Sequence, residues 1–156
     1  MVVATEELSR GSLAAGGSLI TRPEILTRAL VRGGTDAQKR HWLPRIATGD
    51  VMVAIAVTEP DYGSDALNMK TYNVETENGY KLKGTKHWQG LTGMADYWLI
   101  ASRRQLDNGE LARDIDFFIA DNSVEEQKVV VEKLFDNPGL YLIPYGLNTI
   151  DLEVPR

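Results

Sequence analysis

The sequence contains no cysteine among its 156 residues and only two histidines. Without cysteine there are no disulfides, no thiolate nucleophile and no cysteine-ligated zinc. His41 and His87 lie too far apart for a metal-ligand motif, so we predict no metal site. A Gly-x-Ser-x-Gly elbow is also absent. These absences make simple hydrolases and zinc enzymes poor candidates.

Long apolar runs and clustered basic residues are missing as well. No segment approaches the ~20 apolar residues of a membrane-spanning helix, which predicts a soluble protein with no membrane span. The formal net charge is −5 and no basic stripe is visible, so a nucleic-acid partner is not expected. Glu6 and Glu7 stand where an export or organelle signal would be basic or free of acids. We therefore predict a cytoplasmic location.

Helical signals fill the first fifty residues. Thr35 and the glutamine three residues later form a predicted capping box that starts a helix over 35–47. Another helix is predicted over 23–32, with Thr21 as its candidate N-cap. Residues 11–18, mostly glycine, alanine and serine, fit either a loop or a helix packed closely against a neighbour. The segment therefore predicts two or three helices.

Beyond residue 50 the hydrophobic period changes from helical to strand-like. Asn78-Gly79 lies between two alternating segments, which predicts a β-hairpin. Six or so strands at short spacing predict the α+β class, with an antiparallel β-sandwich or partly closed β-barrel preceded by two or three α-helices. We place the domain boundary accordingly, with helices in 1–50 and the β-domain in 51–156. The other predicted strands are 51–57, 97–102, 115–120, 129–131 and 148–154, with a charged loop over 103–113.

The densest polar cluster follows the first predicted strand, from Thr58 to Asp65. Pro60 and Gly63 are ordinary turn residues, so the segment can be a simple turn. The alternative is a ligand loop, in which the hydroxyls of Thr58 and Ser64 and exposed amides bind an anion or a heteroaromatic edge. The residues alone leave both interpretations open.

Four ordered segments carry a resemblance to a known family. Thr58-Glu59-Pro60 with Gly63-Ser64-Asp65 resembles the Thr-Glu-Pro-x-x-Gly-Ser-Asp signature of acyl-CoA dehydrogenases. Gly84-Thr85-Lys86-His87-Trp88 is similar to the family's Gly-x-Lys-x-Trp strand. The segment 34–49 resembles the preceding helix, and 148–155 resembles the strand leading to the family's Val-Pro exit. The similarity spans nearly the whole chain.

The resemblance implies FAD as the cofactor and an antiparallel β-domain that supports it. Thr58 would bond to the flavin ring edge, Ser64 would lie near the phosphates and the CoA substrate, and Trp88 would pack against the isoalloxazine. A large aromatic residue in a strand is often a core residue, so a structural role is the alternative for Trp88. The positions implied to bind the cofactor are Ile55, Val57, Thr58, Gly63, Ser64, Trp88, Gln89 and Gly90, with Ser64 also binding substrate.

The chain departs from the family pattern at two positions. Gly90 replaces the hydroxyl residue expected two positions after the tryptophan, so a hydrogen bond near flavin N5 must come from backbone, from Gln89 or Thr92, or not at all. Tyr62 is bulkier than the usual small residue and is expected to narrow the substrate or cofactor channel.

Glu59 is expected to support the loop rather than act as a base. Strand alternation is expected to turn His87 to the face opposite the tryptophan.

The activity implied by the resemblance is α,β-dehydrogenation of an acyl-CoA thioester. In the family the base is a carboxylate of a C-terminal helical domain, so no catalytic residue is expected in this chain and the chain alone is expected to be inactive. Acyl-CoA, a homo-oligomeric assembly and an electron-transfer flavoprotein as acceptor are the implied partners of the longer enzyme. The alternatives are an acyl-CoA oxidase, a nitroalkane oxidase or monooxygenase relative, and a non-catalytic CoA-binding or scaffold module.

Overall fold

The computed structural model describes residues 2–19, 25–140 and 142–156. Its first part contains four helices, one more than the largest number expected. The helix over Val2–Gly11 was not predicted, and the ambiguous stretch 11–18 is largely helical. In chain order the helices are α1 (Val2–Gly11), α2 (Leu13–Leu19), α3 (Leu26–Gly33) and α4 (Asp36–Thr48).

Helix α4 begins at the predicted capping box. The Thr35 hydroxyl accepts a hydrogen bond from the Gln38 amide at 3.2 Å, and the Thr35 amide donates to Gln38 Oε1 at 2.9 Å. Gly49 ends the helix in the left-handed region with φ of 80°. Both ends of this helix therefore follow from local sequence signals. For α3 the predicted helix is confirmed over the described residues, while its start at residue 23 and the Thr21 cap lie outside them.

Within the described residues, seven strands form a single mixed sheet. Its strand order is β1-β4-β2-β3-β7-β6, and β5 pairs with β4 on a side branch. The α+β class is confirmed, but the purely antiparallel sheet is a correction, because β4 runs parallel to both β1 and β2. The strands are β1 (Val53–Ala56), β2 (Tyr72–Glu75), β3 (Gly79–Gly90), β4 (Tyr97–Gln105), β5 (Leu111–Asp121), β6 (Val130–Leu134) and β7 (Tyr145–Pro155).

The predicted hairpin between β2 and β3 is confirmed, with Glu75 paired to Tyr80. Neither Asn78 nor Gly79 has the positive φ that a two-residue Asn-Gly turn requires. A Cβ atom at residue 79 would instead lie 2.1 Å from the Val154 carbonyl oxygen. The glycine is therefore needed for the close approach of β7.

The predicted charged loop 103–113 is shorter than expected. Strand β4 continues to Gln105 and β5 begins at Leu111, so only 106–110 connect them. Arg103 is buried and donates to the carbonyl oxygens of Met69, Leu111 and Ala112. The charge of Arg103 led to the wrong prediction of a loop at this position. The guanidinium is buried in the sheet because three backbone carbonyls accept its hydrogen bonds.

Two hydrophobic clusters hold the fold. One lies within the curled sheet and includes the fully buried Trp98. The other joins Leu26 and Leu30 of α3 to Val53 of β1 and Leu99 of β4, so the helices pack on the sheet. No helix among the described residues is long and apolar enough to cross a membrane.

Candidate functional site

The loop after β1 is anchored to β3 through one carbonyl group. The Thr58 carbonyl accepts hydrogen bonds from the His87 amide at 2.8 Å and from Gln89 Nε2 at 3.1 Å. Glu59 and Tyr62 exchange backbone hydrogen bonds that close the turn. Gly63 and Ser64 are exposed at its tip. The loop thus lies beside the end of β3, with a polar tip open to a ligand.

A buried ion pair supports this loop from beneath. Lys86 Nζ lies 3.1 Å from Glu59 Oε1, and their side chains are 0% and 4% exposed. The same ammonium group donates to the Val57 carbonyl at 3.0 Å. Glu59 also accepts the backbone amides of Lys70 at 2.7 Å and Thr71 at 2.8 Å. Its carboxylate is thus committed to structure.

The protonation of Glu59 follows from these contacts. Burial raises the pKa of the carboxyl, but hydrogen bonds from Thr71 and Lys70 and the charge of Lys86 outweigh burial and hold the pKa below its ordinary value of 4.5. A carboxylate with a lowered pKa and no open face is a poor general base at neutral pH. The contacts therefore favour the structural role.

Trp88 occupies a bulge in β3. The pairing of β3 with β7 shifts between His87 and Gln89, and Trp88 has φ of 62°. A bulky residue in the left-handed region costs on the order of 1–3 kcal/mol and is found mainly at functional sites. The indole is nevertheless 51% exposed. The strain therefore serves to present the ring at the surface.

An aromatic cluster surrounds the exposed indole. The Trp88 ring lies 4.7 Å from the Phe135 ring and 5.1 Å from the His87 ring, measured between centroids. His87 contacts Phe135 in turn at 5.0 Å. The expected placement of His87 on the opposite face is wrong, because the extra residue in the bulge cancels the strand alternation. We call these three residues the aromatic wall.

The residues after Trp88 differ in what they offer to a ligand. Gln89 is 2% exposed, and its amide donates to the Thr58 and His87 carbonyls and accepts from Asn148. Thr92 is 1% exposed and donates to the Gln89 carbonyl at 2.7 Å. Both side chains are therefore engaged in hydrogen bonds within the protein. Neither can donate to a flavin without breaking these bonds.

Other positions from the sequence analysis are dispersed. The Ile55 side chain packs with the helix-facing cluster, away from the aromatic wall, since alternate residues of β1 face opposite ways. Val57 contributes its carbonyl to Lys86. The Tyr62 ring lies under Lys70 Nζ at 5.3 Å from the centroid, so this bulky residue stacks with a cation beside the loop. Phe135 was not anticipated, because no local signal links a residue after β6 to the bulge in β3.

No group of three or more histidine or acidic side chains among the described residues is arranged to hold a metal ion. The site is thus built of hydroxyls, backbone groups and aromatic rings. Such a set fits a flat heteroaromatic ligand with polar edges.

The family of the chain follows from comparison with known proteins. A family model described as the acyl-CoA dehydrogenase middle domain matches residues 54–150, and the model of the N-terminal domain of the same enzymes matches residues 1–50. The chain belongs to the acyl-CoA dehydrogenase family.

Individual relatives are much longer than the chain. The (2S)-methylsuccinyl-CoA dehydrogenase of Cereibacter sphaeroides is 36% identical over 121 residues, which are 78% of this chain and 22% of that protein. A Bacillus anthracis acyl-CoA dehydrogenase solved with FAD is 26% identical, with a TM-score of 0.83 over 97% of this chain and 25% of that one. A structure described as the electron transferring flavoprotein of Acidaminococcus fermentans is also 26% identical, with a TM-score of 0.87 over 99% of this chain and 40% of that one.

Proposed function

We propose that this chain supplies one wall of the FAD and acyl-CoA site of a flavin-dependent acyl-CoA dehydrogenase. The observation that carries the proposal is Trp88, a half-exposed indole held at a strained φ beside Phe135. A flat apolar ring of this kind suits stacking on an isoalloxazine, which adds about 0.5–1.5 kcal/mol beyond burial. The similar Bacillus anthracis protein was solved with FAD, which supports the same cofactor here.

The roles proposed for the remaining residues follow their exposure. Ser64 and Gly63 are exposed at the loop tip and are proposed to meet the phosphates, with Ser64 also meeting the CoA substrate. Thr58 and the backbone of Gly90 are proposed to meet the ring edge. Bound FAD would supply the oxidant for α,β-dehydrogenation. The residues of this chain would bind and orient the ring and exclude water from one side.

We place the catalytic base outside this chain. Glu59 is a buried carboxylate within the loop, and it is engaged by Lys86 and two amides. The Cereibacter sphaeroides relative and the Bacillus anthracis structure are both named dehydrogenases, which favours that activity over the oxidase, monooxygenase and scaffold alternatives. An acyl-CoA substrate, a homo-oligomer, a flavoprotein acceptor, a cytoplasmic location and the division at residue 50 remain proposals.

FAD is expected to bind the isolated chain with millimolar affinity or weaker. Three or four hydrogen bonds at about 0.5–1.5 kcal/mol each and one stacking contact give roughly 2–7.5 kcal/mol. Lost translational and rotational freedom costs about 4 kcal/mol or more, and millimolar affinity needs a net gain of about 4 kcal/mol. The indole N–H resonances report this binding directly, because Trp88 is exposed whereas Trp98 is 1% exposed.

During an FAD titration the Trp88 resonance should move and the Trp98 resonance should stay. Trp88→Ala identifies the signal and should abolish the response of the remaining indoles. Movement of Trp98 alone, or a response of the remaining indoles that persists in Trp88→Ala, would count against the proposed function.

The isolated chain is expected to show no acyl-CoA dehydrogenase turnover. The proposed base and the second wall of the flavin site are both supplied by other polypeptide. Dye reduction with acyl-CoAs of several chain lengths and added FAD measures this. Turnover that disappears in Glu59→Gln would contradict both the inactivity and the structural role of Glu59.

A further inference from the structure

Gly90 leaves the ring-edge position of the proposed flavin wall without a side-chain donor. The two neighbours that could replace it are already engaged, since Gln89 bonds to Thr58, His87 and Asn148, and Thr92 bonds to the Gln89 carbonyl. A side-chain donor at this position, in addition to the backbone of Gly90, would therefore come from another strand.

Tyr145 of β7 lies directly across from Gly90 in the β3–β7 ladder. A Cβ atom built on Gly90 would lie 3.6 Å from Tyr145 Cε1 and 3.7 Å from Tyr145 Cζ, the atom that carries the hydroxyl. Paired residues on adjacent strands point to the same face of a sheet. The tyrosine ring thus covers the glycine on the face opposite the buried Gln89.

The phenol is available for a ligand. Tyr145 is half-buried, and its hydroxyl makes no hydrogen bond to any residue within 2–19, 25–140 and 142–156. The Tyr145 ring and Ile143 Cγ2, which is 3.4 Å from the Cβ position, both line the space over Gly90. Tyr145 also adjoins the aromatic wall through its backbone, since its carbonyl accepts the Phe135 amide at 2.8 Å. A phenol O–H can donate to a nitrogen or oxygen at the edge of a heteroaromatic ring.

We propose that Tyr145 is a positioning residue for the flavin, donating from β7 the hydrogen bond that Gly90 cannot donate from β3. The inference rests on the proposed function. A Cβ atom at position 90 would be in ordinary van der Waals contact with the tyrosine ring, so the ring lies over the position where a side chain of β3 would begin. In this proposal the hydroxyl that donates to the flavin belongs to β7 and not to β3.

The test is FAD affinity, measured on the 156-residue chain from the concentration dependence of the Trp88 indole shift. Tyr145→Phe removes only the hydroxyl and should weaken binding roughly two- to tenfold, the effect of one hydrogen bond. Tyr72→Phe, a half-buried tyrosine on β2, should leave the affinity unchanged and serves as the matched control. Thermal unfolding of Tyr145→Phe should match that of the parent chain.

A rescue experiment distinguishes a hydrogen-bonding role of Tyr145 from a packing role. Tyr145→Ala should weaken binding further, and adding Gly90→Ser to that variant should restore part of it by returning a hydroxyl to β3. Binding in Tyr145→Phe equal to that of the parent, with Trp88→Ala still defective, would overturn the role of Tyr145 and leave the proposed function standing. A shift of the Trp98 resonance in place of the Trp88 resonance in the parent chain would overturn both.

Discussion

Replacing Glu59 by glutamine should lower the free energy of unfolding by about 3–5 kcal/mol, the usual cost of breaking a buried ion pair from one side. Both carboxylate oxygens accept hydrogen bonds, one from the Lys70 amide and the other from the Thr71 amide and Lys86 Nζ. Glutamine turns one of these acceptors into a donor that faces another donor. It also leaves the Lys86 ammonium buried without a counter-charge. Urea unfolding followed by Trp98 fluorescence measures the loss.

Glu75→Gln is the matched control. Glu75 pairs with Arg156 at the surface, where the two side chains are 60% and 61% exposed. Solvent screens such a pair, so its loss should cost about 1 kcal/mol or less. Adding Lys86→Met to Glu59→Gln should recover part of the stability, because the unpaired charge is then gone. Equal decreases in the free energy of unfolding in Glu59→Gln and Glu75→Gln would show that the buried ion pair stabilises the fold no more than the exposed one.

The same carboxylate makes the fold sensitive to acid. The folded-state pKa of Glu59 lies below 4.5, so between that pKa and 4.5 the unfolded chain binds more protons than the folded chain. The stabilisation is therefore complete above pH 4.5 and is lost as the pH falls through the folded-state pKa. Glu59→Gln should show a shallower decline of stability below pH 4.5 than the parent chain.

Gly84→Ala should destabilise the protein by about 1–3 kcal/mol or more, the range for forcing extra atoms into a packed site. A Cβ atom at residue 84 would lie 2.6 Å from Thr71 Cα and 2.3 Å from Thr71 Oγ1. The nearest obstacles include backbone, so a rotamer change cannot relieve the contact. Thr71 is also the residue whose amide binds Glu59. The substitution should therefore push the Glu59 contacts apart as well as β3.

Gly139→Ala provides the control for Gly84→Ala. A Cβ atom at Gly139 meets nothing within 4 Å, and its φ is not positive. Replacing this glycine should change the unfolding free energy little or raise it slightly, because alanine restricts the unfolded chain. Similar losses at both glycines would contradict a specific approach between Gly84 and Thr71. Thermal unfolding of the two variants makes the comparison.

Local signals were enough to predict the elements that rest on neighbouring residues. The capping box at Thr35 and the alternation of β7 around Asn148 read directly from the sequence, because both are decided within a few positions. The parallel pairing of β1 with β4 was missed, since it joins Val53 to Tyr97 and depends on the whole chain. No local pattern specifies which strands meet over such a distance.

The candidate site divides in the same way. The loop around Ser64 and the aromatic at Trp88 were predicted from the family resemblance. The bulge that turns Trp88 outward and the tyrosine across from Gly90 were not, because both arise from the register between β3 and β7. Ile55 was implied to bind the cofactor because it lies close to the loop motif in sequence. In the structure its side chain packs in the helix-facing cluster.

We expect the strands that build the aromatic wall to come together late in folding. Gly79 pairs with Pro155 and Gly90 with Tyr145, so the ladder between β3 and β7 closes long stretches of chain. Contacts of this kind form slowly, whereas the hairpin of β2 and β3 is local and forms within microseconds. Until β7 arrives, one edge of β3 stays bare and can pair with other chains. A nascent chain would therefore be prone to aggregation just before its cofactor surface exists, and conditions that speed β7 docking should raise the yield of folded protein.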